Sequence, residues 1–158
     1  MFASIVRLAA VTALAMSFAA PAAAQSTDNG VRRVKSAYSM QESIARIKAD
    51  IAAKGILFFH QVDQSALAAK AGISLRPSTL LEFGNPPLGT QFITANADAG
   101  LDWPVRLLLT QDDSGTVWAV YTDFTWIAAR HQITTRGAQF MMANQVVGSI
   151  TSTLVDPR

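Results

Sequence analysis

Val105-Arg106-Leu107-Leu108-Leu109-Thr110-Gln111 and Thr116-Val117-Trp118-Ala119-Val120-Tyr121-Thr122 flank Asp112-Asp113-Ser114-Gly115, and the whole stretch reads as a β-hairpin. The arms are rich in branched and aromatic residues, while Asp, Ser and Gly supply the local hydrogen bonds and backbone freedom of a tight reversal. Val117, Ala119 and Tyr121 share one face of the second arm, and Trp118 and Val120 take the other. Both faces are partly apolar, so helices are expected over at least one of them.

Upstream, residues 31–38 read as a first strand. Ser39 and Glu42 have the spacing of a capping box, and Met40, Ile44, Ile47 and Ile51 form one apolar face of a helix running to about Lys54, where Gly55 can end it. Ile56-Leu57-Phe58-Phe59 is a continuous apolar run and reads as a central strand covered on both faces. Asp63 can cap a short helix over 64–71, and a strand follows over 79–83. Asn85-Pro86 places a cap and a first-turn proline at the start of a further helix, whereas 98–104 reads as loop. Asp123 can cap a short helix to Arg130, and a last helix begins at Gly137. The fold class is therefore α+β: a single compact domain over 31–158, with a mixed, mostly antiparallel sheet of about five strands backed by helices.

The first 24 residues have a single charge, Arg7, then an apolar run over 8–20 and the small residues Pro21-Ala22-Ala23-Ala24. This pattern describes a secretory signal peptide cleaved after Ala24, since the run is shorter than the ~20 residues of a membrane span. The expected product is periplasmic or secreted, begins at Gln25, has a flexible lead over 25–30, and keeps no stable membrane anchor. Of 13 Lys and Arg only Arg7 is removed, while all 11 Asp and Glu stay, so the net charge falls from +2 to +1. So small a charge gives little drive toward phosphate backbones, and nucleic acid is not an expected partner. There is no cysteine, which excludes disulfides, thiolate metal sites and thiol catalysis.

Several stretches in order resemble one family. They are Leu75-Arg76-Pro77, Leu80-Leu81-Glu82-Phe83-Gly84-Asn85-Pro86, Asp102-Trp103-Pro104-Val105, the Asp112-to-Trp118 turn, Tyr121-Thr122-Asp123 and Ala128-Ala129-Arg130-His131. Together they are similar to the bacterial and archaeal domain of unknown function 302 family, over about 31–133. The resemblance implies a compact domain with a sheet backed by helices, and it implies no reaction. Gln64, Phe124 and Gln132 depart from the family pattern, which commonly has His, Pro and Gly there.

Among candidate site residues, Gly84 and Asn85 precede a helix start, where unpaired N–H groups favour an anion; the same residues also suit a plain strand-to-helix turn. Arg130 and His131 end a short helix. They serve either as dipole-compensating caps or as an anion clamp and an acid/base, with Asp123 as a third candidate. His60 follows Phe58-Phe59 on the strand read as buried, and so reads as a hydrogen-bonded core or sheet-end histidine. Trp103, Trp118 and Trp126 suit the core or a dimer interface, with an apolar pocket as the alternative. No Gly-x-Ser-x-Gly, Walker or His-Glu-x-x-His pattern occurs. The leading expectation is a noncatalytic domain that binds a small ligand or a periplasmic protein, without a cofactor, as a homodimer through a sheet edge or helix face. An enzyme using His131 and Arg130 on a small anionic substrate is the alternative, and periplasmic metal or haem binding is the second.

Overall fold

Asp112 closes the expected hairpin. Its backbone N–H donates to Thr116 O at 3.0 Å, its carboxylate accepts from Ser114 N, Thr116 N and the Trp118 indole at 2.8–3.0 Å, and Gly115 takes φ +82°. The structure, a computed structural model, describes residues 25–26 and 29–155. The expected signal peptide over 1–24 lies outside the described residues.

In chain order the strands are β1 (Gln25–Ser26), β2 (Val31–Lys35), β3 (Leu57–Asp63), β4 (Ser78–Gly84), β5 (Val105–Gln111) and β6 (Val117–Thr122). They form one sheet in the order β1-β2-β6-β5-β4-β3. The sheet was expected to be mixed, but every pairing among the described residues is antiparallel. The reason is connectivity. Strands β3 to β6 are consecutive neighbours, and the one long crossing, through helix α1 (Met40–Ala53), joins β2 to β3 at separate positions in the sheet. The lead expected over 25–30 is partly structured, because Gln25 and Ser26 pair with Arg33 and Arg32.

The apolar run at 56–59 was expected to lie in a central strand. It enters β3, which pairs with β4 alone and leaves Leu57 52% and Phe59 43% exposed. A register shift between Phe58 and His60 explains why alternation is lost there. Ile56 and Phe58 pack against the core, whereas Phe59 meets Trp103 edge-on, with ring centroids 5.8 Å apart.

The remaining helices are α2 (Gln64–Lys70), α3 (Pro86–Ala95), α4 (Phe124–Arg130) and α5 (Gly137–Ser152). Helix α1 packs on β3 and β5 and against α5, which also meets α3 and α4. Ile47 and Ile51 of α1, Leu81, Leu107 and Leu109 of the sheet, and Ile150 and Leu154 are fully buried between the layers. Each such side chain contributes roughly 1.5–3 kcal/mol by leaving water. The capping box is half formed: Ser39 Oγ accepts from Glu42 N at 3.3 Å, while the Glu42 carboxylate turns to Arg46 at 2.8 Å. Residues 97–102, mostly expected as loop, form a 3-10 helix (Ala97–Asp102) whose start is capped by the Asn96 side chain, accepting from Asp98 N at 3.0 Å.

Candidate functional site

Strand β4 ends at Gly84, and Asn85 leads into α3. The Asn85 side chain caps nothing. Pro86 and Pro87 lack N–H groups, and the next two donors, Leu88 N and Gly89 N, bond to Asn85 O at 3.0 and 2.9 Å. The helix start therefore lacks the free backbone donors that an anion would need. What Gly84 and Asn85 border instead is an apolar cavity of about 250 Å3.

Trp103 makes one wall of this cavity and explains two glycines. A Cβ on Gly84 would stand 3.0 Å from the indole Nε1, and one on Gly89 would overlap it. Phe83, Leu88 and Phe92 continue the wall from the sheet end and α3, and Phe124 from α4 closes it beside Ala143, Val146 and Val147 of α5. The Phe92 ring stacks on Phe140 with centroids 4.1 Å apart. Among the described residues that line it only Lys54 is ionisable, and its Nζ is 2.5 Å from Asp50 Oδ2.

Behind this cavity lies a charged cluster that centres on Asp102. Its carboxylate is 6% exposed and meets His131 Nε2 at 2.6 Å, Arg130 at 3.2 Å and Arg106 at 3.3 Å. The 3-10 helix supplies Asp102, the end of α4 supplies Arg130 and His131, and Asn96 Nδ2 donates to the His131 carbonyl at 2.9 Å. A crevice of only about 20 Å3 reaches Asp102 and Arg106, and Val105 and Phe124 line both it and the larger cavity. Neither space is lined by His131. The arrangement clamps the 3-10 helix to α4 and β5 through a carboxylate whose charge is compensated.

Asp123 stands at the other end of α4, about 10 Å along the axis at ~1.5 Å per residue. Its carboxylate accepts from Thr125 N and Trp126 N at 2.8 and 3.2 Å and pairs with Arg32 at 2.7 Å. Burial pushes its pKa up, but Arg32, the helix N–H groups and Asn144 outweigh burial and hold it below the usual value. Thus Arg130 and His131 come together and Asp123 does not join them.

Asp102, their actual partner, stands in Asp102-Trp103-Pro104-Val105, where nothing beside it marks it as a site residue. No local signal connects residues 28 and 29 positions apart. His60 is exposed on β3 opposite Glu82. Trp118 is tied to Asp112, and Trp126 lies against Gly30, so of the three tryptophans only Trp103 lines the cavity. Among the described residues no group of three His, Cys, Asp or Glu side chains converges as a metal would require.

Residues 32–153 match the family described as domain of unknown function DUF302. The fluoride-specific ion channel FluC 1 of Brucella suis biovar 1 (strain 1330) is 39% identical over 113 residues, which cover 72% of this chain and 44% of that protein. The FluC 1 protein of Brucella abortus biovar 1 (strain 9-941) matches at 39% over 113 residues, 72% of this chain and 42% of its own length. The chain thus spans less than half the length of these curated relatives. No described helix is long and apolar enough to cross a membrane. The uncharacterized conserved protein DUF302 from Bacillus stearothermophilus has a similar fold, with a TM-score of 0.73 at 16% identity over 80% of this chain and 98% of that one.

Proposed function

Because the chain belongs to the DUF302 family, whose description assigns no reaction, we propose from its own geometry that it is an exported, noncatalytic domain binding a small, largely apolar ligand in the cavity between α3, α5 and the sheet end. The observation that carries this reading is the cavity itself: about 250 Å3, walled by aromatic and aliphatic side chains, with Lys54 the one ionisable residue among the described residues that line it. Such a site suits binding better than acid/base chemistry, which needs a titrating group within reach of the substrate. Arg130 and His131 serve the structure through Asp102 in this reading.

The test is a thermal-shift titration with α-methylstyrene against wild type and Ala143→Leu, which fills part of the cavity. A rise in Tm for wild type that is much reduced in the variant supports the proposal. Equal shifts, or none, count against it. Export is checked by N-terminal sequencing of the secreted chain, with Gln25 expected first. A homodimer through the β3 edge, where Leu57 and Phe59 are exposed, stays part of the proposal and is tested by light scattering.

The names of the Brucella relatives favour a second reading, in which a domain of this kind works as an accessory to a fluoride channel. Titration of the purified chain with fluoride, followed by 19F NMR, separates the readings. Saturable fluoride binding favours the accessory role.

A further inference from the structure

The polar edge of the cavity narrows the molecule it accepts, and we infer that the ligand presents a neutral hydrogen-bond acceptor, such as a ketone, ester or amide carbonyl, to the indole N–H of Trp103. This rests on the cavity being the binding site. Trp103 Nε1 lies against Gly84 and Gly89 in the cavity wall, and no described protein group accepts its hydrogen. Trp103 is half-buried and this N–H stays open to water, so a ligand that covers it without offering an acceptor leaves it unsatisfied. Asn85, exposed at the same edge with a side chain that caps nothing, adds a second neutral donor.

Charge decides against a carboxylate. Pro86 and Pro87 remove two helix donors, Asn85 O occupies the next two, and Asp50 already neutralises Lys54 at 2.5 Å. An ionised head would leave water for a site with no uncompensated positive charge, a far costlier transfer than that of a carbonyl. Size sets the rest: since about 150 Å3 holds a benzene ring, 250 Å3 admits about ten non-hydrogen atoms.

Three probes of equal size test this: acetophenone with a carbonyl, α-methylstyrene with a methylene in its place, and benzoate with a carboxylate. Calorimetric titration of the purified chain is expected to show acetophenone binding at least tenfold tighter than α-methylstyrene, with benzoate weakest. In NMR spectra of wild type, acetophenone should move the Trp103 Nε1–H resonance downfield and α-methylstyrene should not. Trp103→Phe, with its fold checked by circular dichroism, should bind the two neutral probes alike. Equal affinities in wild type, an unmoved indole resonance, or benzoate binding tightest would each overturn the inference and leave the cavity as the binding site. Failure of all three probes to bind removes the cavity reading and the inference with it.

Discussion

His131 Nε2 lies 2.6 Å from Asp102 Oδ2, so the histidine at the end of α4 looks back into the 3-10 helix and away from the helix start at Asp123. Both side chains are 6% exposed, and Asp102 also receives Arg130 and Arg106, which are 45% and 50% exposed. Removing one partner from a fully buried ion pair costs ~3–5 kcal/mol, and exposed partners lower that figure. Asp102→Ala is therefore expected to lose about 2–3 kcal/mol in urea denaturation. In a double-mutant cycle with His131→Ala the two losses should be non-additive by about 1 kcal/mol or more. A loss within ~0.5 kcal/mol, the range of ordinary surface changes, would show that Asp102 does not organise the cluster.

Gly89→Ala sets two effects against each other. Alanine in a helix interior gains ~1 kcal/mol over glycine, yet its methyl group would overlap the Trp103 indole, and overpacking typically costs ~1–3 kcal/mol. Steric conflict is expected to win, giving a less stable chain with Trp103 displaced and weaker binding of α-methylstyrene. Denaturation and probe titration read the two consequences separately. A stabilised variant with unchanged binding would mean that the indole yields freely.

These two sites show what the sequence could and could not reveal. The hairpin was legible because Asp112, Gly115 and the alternating arms act over a few residues, and the caps at Ser39, Asp63 and Asp123 were legible for the same reason. The edge position of β3 was not, because a continuous apolar run looks alike whether two sheet faces are covered or one residue is bulged toward Trp103. The need for glycine at Gly89 was not legible either, since the indole it accommodates arrives from 14 residues later in the chain. Arg130 and His131 were picked out by residue type. Their partner was not legible, because helix-local reasoning offers Asp123 as the nearby acid, whereas tertiary packing supplies Asp102.

The Asp112–Trp118 contact carries a pH signature. Hydrogen bonds from Ser114 and the Trp118 indole, with backbone donors, lower the Asp112 pKa from 3.8 to about 2, against a smaller effect of burial. A depressed carboxylate contributes fully above its unfolded value and loses that contribution as pH falls through the folded one. The Trp118 Nε1–H resonance should thus stay constant from pH 7 to pH 5 and then move with a midpoint near 2. In Asp112→Asn this titration should vanish. A midpoint at the ordinary carboxylate value would show that the turn leaves the carboxylate unpaired.

Asp123 gives the corresponding effect on stability. Burial alone would raise its pKa, but Arg32, the N–H groups of Trp126 and Thr125, and Asn144 together lower it below 3.8. The ionised form is the one the fold prefers, so its contribution is present above the unfolded value and disappears as pH falls through the folded value. Asparagine caps a helix about as well as aspartate, so Asp123→Asn removes the charge alone, worth about 0.3–1 kcal/mol at a helix start, and the partly exposed Arg32 pair adds at most about 1 kcal/mol. Urea denaturation of wild type and Asp123→Asn should therefore differ by about 1 kcal/mol at pH 6. The difference should shrink steadily below pH 4, because protonated Asp123 and asparagine both lack the charge that Arg32 and the start of α4 favour. A difference that stays constant down to acid unfolding would assign the loss to side-chain shape, with the charge of Asp123 making no contribution.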